Sequence, residues 1–383
     1  MNEQQTVPTP IRDLAELTAA LQLAVGVELS TIPVYLTALY SIEEGHNADA
    51  AQTIRSVVME EMLHMTLAAN VLNALGTRPS TEPVNFQSYT NLSPIPSYPL
   101  ISPVISGLGI LELRPFSPDA VETFLRIEHP LHGADYLTAT SSVGYQTIGQ
   151  FYHAITTALN DDHIVQDSDF AHGNQVPSTQ YYGGAGQVIE VIDRASAVNA
   201  INKIVDEGEG LPQEALGRQA VIDGDDLGSR WKMYSHYARF RELRTGRRFR
   251  RDQTAGEKPE GAILPIEYDA VHPALHDPHN SPPTDSPEHA ALIAFDLAYT
   301  QLIDNLYHAL SGRNNNAVTG HNGAAATAES QLQQAVHGMY ALKNMAIGLM
   351  RIPHPNSPGH TLCPRFCYVT HNDRAHSANR PQN

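Results

Sequence analysis

Two long apolar helical patterns with almost no chain between them constrain this sequence more than any other feature. Residues 12–43 place Leu17, Leu21, Val25, Ile32, Tyr35 and Leu39 on one stripe at three- and four-residue steps. Residues 48–75 do the same with Ile54, Val57, Val58, Met65, Ala68 and Leu72. The connector "EEGHNAD" is so short that the two helices must pack antiparallel. Pro33 predicts a kink or one lost backbone bond near Leu29, and Gly76 a stop for the second helix. Six later segments repeat the helical period: "PDAVETFLRIEHP", "SVGYQTIGQFYHAITTALN", "SAVNAINKIVDEGEG", "DLGSRWKMYSHYARFRELRTG", "SPEHAALIAFDLAYTQLIDNLYHALSG" and "ESQLQQAVHGMYALKNMAIGLM". The fold class is mainly α.

The loops are long. Residues 77–117 are rich in Pro and Ser and are expected to wrap the surface. Residues 162–195 read as loop with a short strand at "GQVIEVID", and 250–285 as a Pro- and His-rich loop. "RNNNAVTGHNGAAATA" joins the last two helices, and the tail from Pro353 is polar with no period. This divides the chain into a bundle with inserted loops (1–250), a loop and two helices packing on it (251–352) and a tail (353–383).

With 383 residues, 42% of them hydrophobic, the chain can bury a large core. A net charge of −17, from 24 Lys+Arg against 41 Asp+Glu, disfavours nucleic acid and anionic membrane surfaces as partners. The only cysteines, Cys363 and Cys367, exclude a disulfide framework; they read as two free thiols, with a bridged or metal-binding C-x-x-x-C pair as the alternative. The opening "MNEQQTVPTPIRD" has no apolar signal region, and no stretch approaches the roughly 18–20 apolar residues that span a bilayer. The expected location is the cytoplasm.

Against this background "VVMEEMLHMTLAANVL" is anomalous, because a greasy helix carries Glu60, Glu61 and His64. Glu61 and His64 lie on the buried stripe, as i and i+3 neighbours about 5–6 Å apart at Cβ. Glu60 sits about 100° round the helix, at the stripe's edge, where a second polar group or solvent would meet it. Glu28 answers from the buried stripe of the first helix. An unpaired carboxylate there is strongly disfavoured. One Glu facing a Glu-x-x-His pair is half of a carboxylate-bridged di-metal site, and Glu/His donors suit Fe or Mn, with Zn also compatible. The bland alternative is a structural polar cluster. For the second half, His236 shares a face with Met233, Phe240 and Leu243; on its own it would be a satisfied core histidine. Glu207 and Glu209 end a helix, where an ordinary exposed terminus is an equal reading. Glu128, on the face of Val121, Phe124 and Leu125, either joins the site or caps the chain reversal before Pro130.

These segments resemble the ferritin-like domain family associated with iminophenyl-pyruvate dimer synthases, the VioB-like proteins. The resemblance rests on "VGVELSTIPVYLTALYSI", "EEMLHMTLAANVLNALG", "PFSPDAVETFLRIEHP", "YQTIGQFYHAI", "EGEG" and "SHYARFREL", over most of residues 12–245. It implies a ferritin-like four-helix bundle, with Glu28, Glu61 and His64 as metal ligands and Glu209 and His236 as the second pair. The family's "IGEFY" places a carboxylate where this chain has Gln150. The loss of that charge implies a weaker second metal, a water-held one or a single metal, with His153 one turn on as a substitute.

The functional expectation is a non-haem iron oxidoreductase, di-iron or mono-iron, oxidising or coupling a small amino-acid-derived substrate with O2 in a secondary-metabolite-type pathway. Tyr35, above Glu28, is the candidate catalytic residue, with core packing as its plainer role. Homo-oligomerisation is compatible with this reading. The alternatives are metal binding or storage without turnover, and a metal-free scaffold.

Overall fold

The computed structural model describes residues 10–130, 144–170, 173–177, 186–208, 234–250, 252–254, 256–277, 281–311 and 328–370. Among them the architecture is mainly α. Helices α1 (Leu14–Ser41) and α2 (Ala48–Ala74) form the predicted hairpin. α1 starts where the Asp13 side chain accepts from the Glu16 N–H, and it continues through Pro33 as one element. Almost every α2 residue from Val57 to Ala74 is buried, so this helix is covered on all sides. The cover comes from α4 (Ile148–Leu159) and α5 (Arg194–Glu207), which complete a ring of four in the order α1, α2, α5, α4. α3 (Pro118–Ile127) and α6 (His236–Thr245) pack on each other and against α1 and α2. A second hairpin, α7 (Pro287–Leu310) and α8 (Ala328–Leu349), lies against the outer side of α1 and α2.

Two helices start later than their sequence pattern suggests. α4 begins only at Ile148, after the Thr147 cap, and α6 at His236, after the Ser235 cap. Hydroxyl caps take over the first free N–H groups and set both starts. Met233 lies outside the described residues. The described part of "GQVIEVID" contains no strand; Gln175 holds it through the backbone of Val191 at 2.7 and 2.8 Å.

Segment 77–117 is not a structureless wrap. It forms two antiparallel hairpins, β1 (Val84–Phe86) with β2 (Tyr89–Leu92) and β3 (Leu100–Ile101) with β4 (Ile110–Leu111). Phe86, Ile105, Leu111 and Phe116 from it are buried in the core. Gln22 clamps the backbone of Ser80 with two 2.9 Å hydrogen bonds, and the Tyr98 hydroxyl donates to the Ser30 carbonyl at 2.6 Å. Gly26 permits this close approach, since a Cβ there would sit 2.4 Å from the Pro94 carbonyl oxygen. Gly26→Ala is therefore expected to destabilise the protein by about 1–3 kcal/mol despite alanine's better helix propensity. Urea unfolding of the variant measures this; an unchanged midpoint would show that the loop is not seated on α1.

The tail is also tied down as far as residue 370. β6 (Thr361–Leu362) pairs in parallel with β5 (Ala274–Leu275), and Asp296 of α7 pairs with Arg365. Cys363 is buried and Cys367 exposed, both as free thiols. By length and composition α1 is apolar enough to cross a membrane, contrary to the expectation that no stretch comes near; however, 83% of its most apolar window is buried inside the fold.

Candidate metal centre

Six helices bring their polar side chains to one buried point. α1 supplies Glu28, Thr31 and Tyr35, and α2 supplies Glu60, Glu61 and His64. Glu128 ends α3, Tyr152 lies on α4, Glu207 is the last residue of α5, and His236 is the first residue of α6. The Gly208 carbonyl, just past α5, accepts from the Tyr237 N–H at 3.4 Å, which draws the start of α6 to the end of α5.

The two imidazoles stack with ring centroids 5.3 Å apart. His64 Nδ1 lies 3.5 Å from Glu28 Oε2, and its Nε2 lies 3.1 Å from Glu207 Oε2. His236 Nε2 faces Glu60 Oε2 at 2.8 Å, and Glu60 is held in turn by Arg239. His236 Nδ1 lies 2.8 Å from Glu61 Oε1 and 3.4 Å from Glu128 Oε1. Thr31 Oγ1 donates to Glu61 Oε2 at 2.9 Å, Tyr35 donates to Glu128 and Tyr152 to Glu28.

The charges are not balanced by these contacts. Arg239 answers Glu60 and Lys203 answers Glu207, which leaves Glu28, Glu61 and Glu128 sharing two imidazoles. Burial, then the neighbouring Glu128 and Glu28 carboxylates, push Glu61 up to about 8. Burial also opposes the charge on His64, but bonding to Glu207 and Glu28 wins and raises it to about 10. His236 is likewise driven well above the ordinary histidine range, burial being outweighed first by Glu128. For Glu60 burial is overcome by Arg239 and then His236, which hold it down to about 2. Tyr35 is pushed far up by burial and then by Glu128, so it is a neutral hydrogen-bond donor.

Two observations fit this donor set to a cation. His236 Nδ1 is buried and makes no hydrogen bond, although carboxylate oxygens lie close by. Two carboxylate oxygens stand beside it, Glu61 Oε1 at 2.8 Å and Glu128 Oε1 at 3.4 Å. Gly208 keeps that side open, since a Cβ there would stand 3.5 Å from Glu128 Oε2 and 4.0 Å from His236 Nδ1. Glu61, His64 and His236 each offer one ligand atom, all within 4.8 Å of one another, which suits a single ion with carboxylate and imidazole donors. A small cavity of about 20 Å3 opens among Glu28, Glu61, His64 and Glu128.

Several expected positions lie elsewhere. Gln150 is buried, but its Oε1 accepts from the Gln146 N–H at 2.6 Å, so it serves the turn before α4. His153 is exposed. Glu209 lies outside the described residues. Glu60 is 5% exposed, so it does not meet solvent; the edge of the α2 stripe is itself covered by α6. Tyr152 and Arg239 carry little sequence signal as site residues; that of Tyr152 is the apolar face it shares with Ile148 and Ile155.

A family model described as Ferritin-like matches residues 21–245, the span that contains all of these groups. The chain belongs to the ferritin-like family. A crystal structure of a ferritin-like protein from Caulobacter vibrioides is similar to it, with a TM-score of 0.52 and 22% identity over 89% of this chain and 98% of that one. At that identity the likeness concerns the fold alone. No curated protein matches the chain. In this ferritin-like protein the cluster thus sits inside the matched span, while the α7–α8 hairpin lies beyond it.

Proposed function

We propose that this ferritin-like protein is a non-haem metalloenzyme, with iron as the metal, that uses O2 to oxidise or couple a small amino-acid-derived molecule. The observation that carries the reading is the buried, unbonded His236 Nδ1 facing Glu61 and Glu128. Glu28, Glu61, His64, Glu128 and His236 would hold the metal, with Glu207 at its half-buried edge. Reduced iron supplies O2 activation when bound there. The protein's own part is to fix the donors: Thr31 orients Glu61, Tyr35 orients Glu128 and Tyr152 orients Glu28, each by a hydrogen bond to the oxygen it touches. Glu28, Glu61, His64, Glu128 and His236 are all buried from solvent. Resemblance of the α1, α2 and α6 motifs to iminophenyl-pyruvate dimer synthases supports imine coupling as the specific chemistry.

A second reading, metal handling without turnover, has one observation in its favour. The cavity at the cluster is about 20 Å3, the size of a water or an ion and too small for an organic substrate. Turnover therefore requires an opening, and Glu207, the most exposed member of the cluster, marks where it would form. Metal analysis of purified protein, followed by O2 consumption with and without amino-acid-derived imines, separates the two. Stoichiometric iron with substrate-stimulated O2 uptake is the expected result. Iron without stimulation favours handling, and absence of any transition metal sinks both.

A further inference from the structure

A second, much larger cavity lies on the opposite side of the α1–α2 pair, beneath the α7–α8 hairpin. Its volume is about 1130 Å3, in the range of ligand-sized pockets, and it shares no lining residue with the metal centre. Its walls are apolar, with Leu29 and Ile32 from α1, Val58 and Met62 from α2, and Leu302 and Met339 from the hairpin.

Charge distinguishes this cavity from an ordinary packing defect. Among the described residues five Lys or Arg side chains make no ion pair or hydrogen bond: Arg55, Arg78, Lys258, Lys343 and Arg351. Three of the five, Arg55, Lys343 and Arg351, line this one cavity. Glu43 and Glu44 line it too, from the connector between α1 and α2. The wall therefore carries net +1 with histidines neutral (three cations against two acids) in a chain of net charge −17. Tyr299 adds a further polar group, because it lines the cavity, is 3% exposed and has a hydroxyl without a hydrogen-bond partner.

We propose that this cavity binds a long-chain monocarboxylate, with its apolar body between the two helix pairs and its carboxylate met by Arg55, Lys343 and Arg351. Apolar walls favour the chain through the area they remove from water. The unpaired cations select an anionic head over a neutral or cationic one. This site is independent of the metal centre and of the reaction proposed for it.

Isothermal titration calorimetry of the 383-residue chain with dodecanoate, dodecan-1-ol and dodecyltrimethylammonium, all below micelle-forming concentrations, tests the assignment. One dodecanoate per chain is expected, bound at least tenfold tighter than either control and equally well before and after EDTA treatment. Arg55→Glu with Arg351→Glu, both at exposed positions, should weaken dodecanoate at least tenfold. Gly348→Trp should abolish binding with Tm retained, because Gly348 lines the cavity and a Cβ there meets nothing within 4 Å. Equal affinity for the three head groups, no binding, or binding that survives both variants overturns the proposal. So does a dimer in sedimentation velocity that Gly348→Trp dissolves, which would make this face a contact between two copies of the chain.

Discussion

Glu61→Ala protein is expected to lose bound metal, with affinity reduced by at least about a hundredfold, the upper end of what even outer-shell partners cost. Glu61 stands within reach of both imidazoles: it is 2.8 Å from His236 Nδ1 and is grouped with His64 within 4.8 Å. The carboxylate sits at about 8 because burial and two neighbouring acids disfavour its charge. A cation at the shared point reverses that preference and displaces the proton, so affinity should also fall as pH drops below about 8. Glu61→Gln, which keeps the shape and removes the charge, should show the same loss, while the pH dependence imposed by the raised His64 and His236 persists. Inductively coupled plasma analysis of protein from iron-supplemented cells measures the content. Full metal occupancy in both variants would place the metal elsewhere.

The second large effect belongs to Glu60→Gln, and it concerns stability. Arg239 is 2% exposed and pairs with Glu60, so the substitution strands a buried guanidinium and should cost about 3–5 kcal/mol. Adding Arg239→Met should recover most of that loss, and the double-mutant cycle isolates the pair from its surroundings. Acid provides an independent check. Glu60 is held at about 2 against an ordinary value of 4.5, so its contribution is fully present above about pH 4.5 and is lost as pH falls toward 2. The amount is about 3 kcal/mol. Urea midpoints measured across that range should fall in the native protein and flatten in Glu60→Gln. A native midpoint that stays constant from pH 4.5 to 2.5 would contradict the assignment.

The sequence was most legible where helices are long. Glu28, Glu61 and His64 lie in the middle of α1 and α2, where the apolar period fixes which way a side chain points. Glu128 and Glu207 are weaker candidates for the same reason in reverse. Each sits at a helix terminus, where periodicity runs out and only the fold decides direction. Gln150 shows the limit of matching by position. A family pattern suggested a ligand there, but the side chain spans one turn to the Gln146 N–H, and the group that reaches Glu28 is Tyr152, two residues on. The 77–117 segment shows no strand in its sequence because strands of two to four residues have too little length for alternation to show. Its burial follows from Gly26 and the Gln22 clamp, single-residue features that no window average detects.

Glu60 and His236 are 176 residues apart in the chain, and His64 and Glu207 are 143 apart. These are very non-local contacts, and closure of such loops comes before any gain from the contact itself. The α1–α2 hairpin depends on neighbours in sequence and can form early, during synthesis, since its last residue is Ala74. Until residues 236 and 239 emerge, Glu60 on that hairpin has neither of its partners. The polar interior of the bundle is therefore completed only by α6, the last in sequence of the six helices that build it.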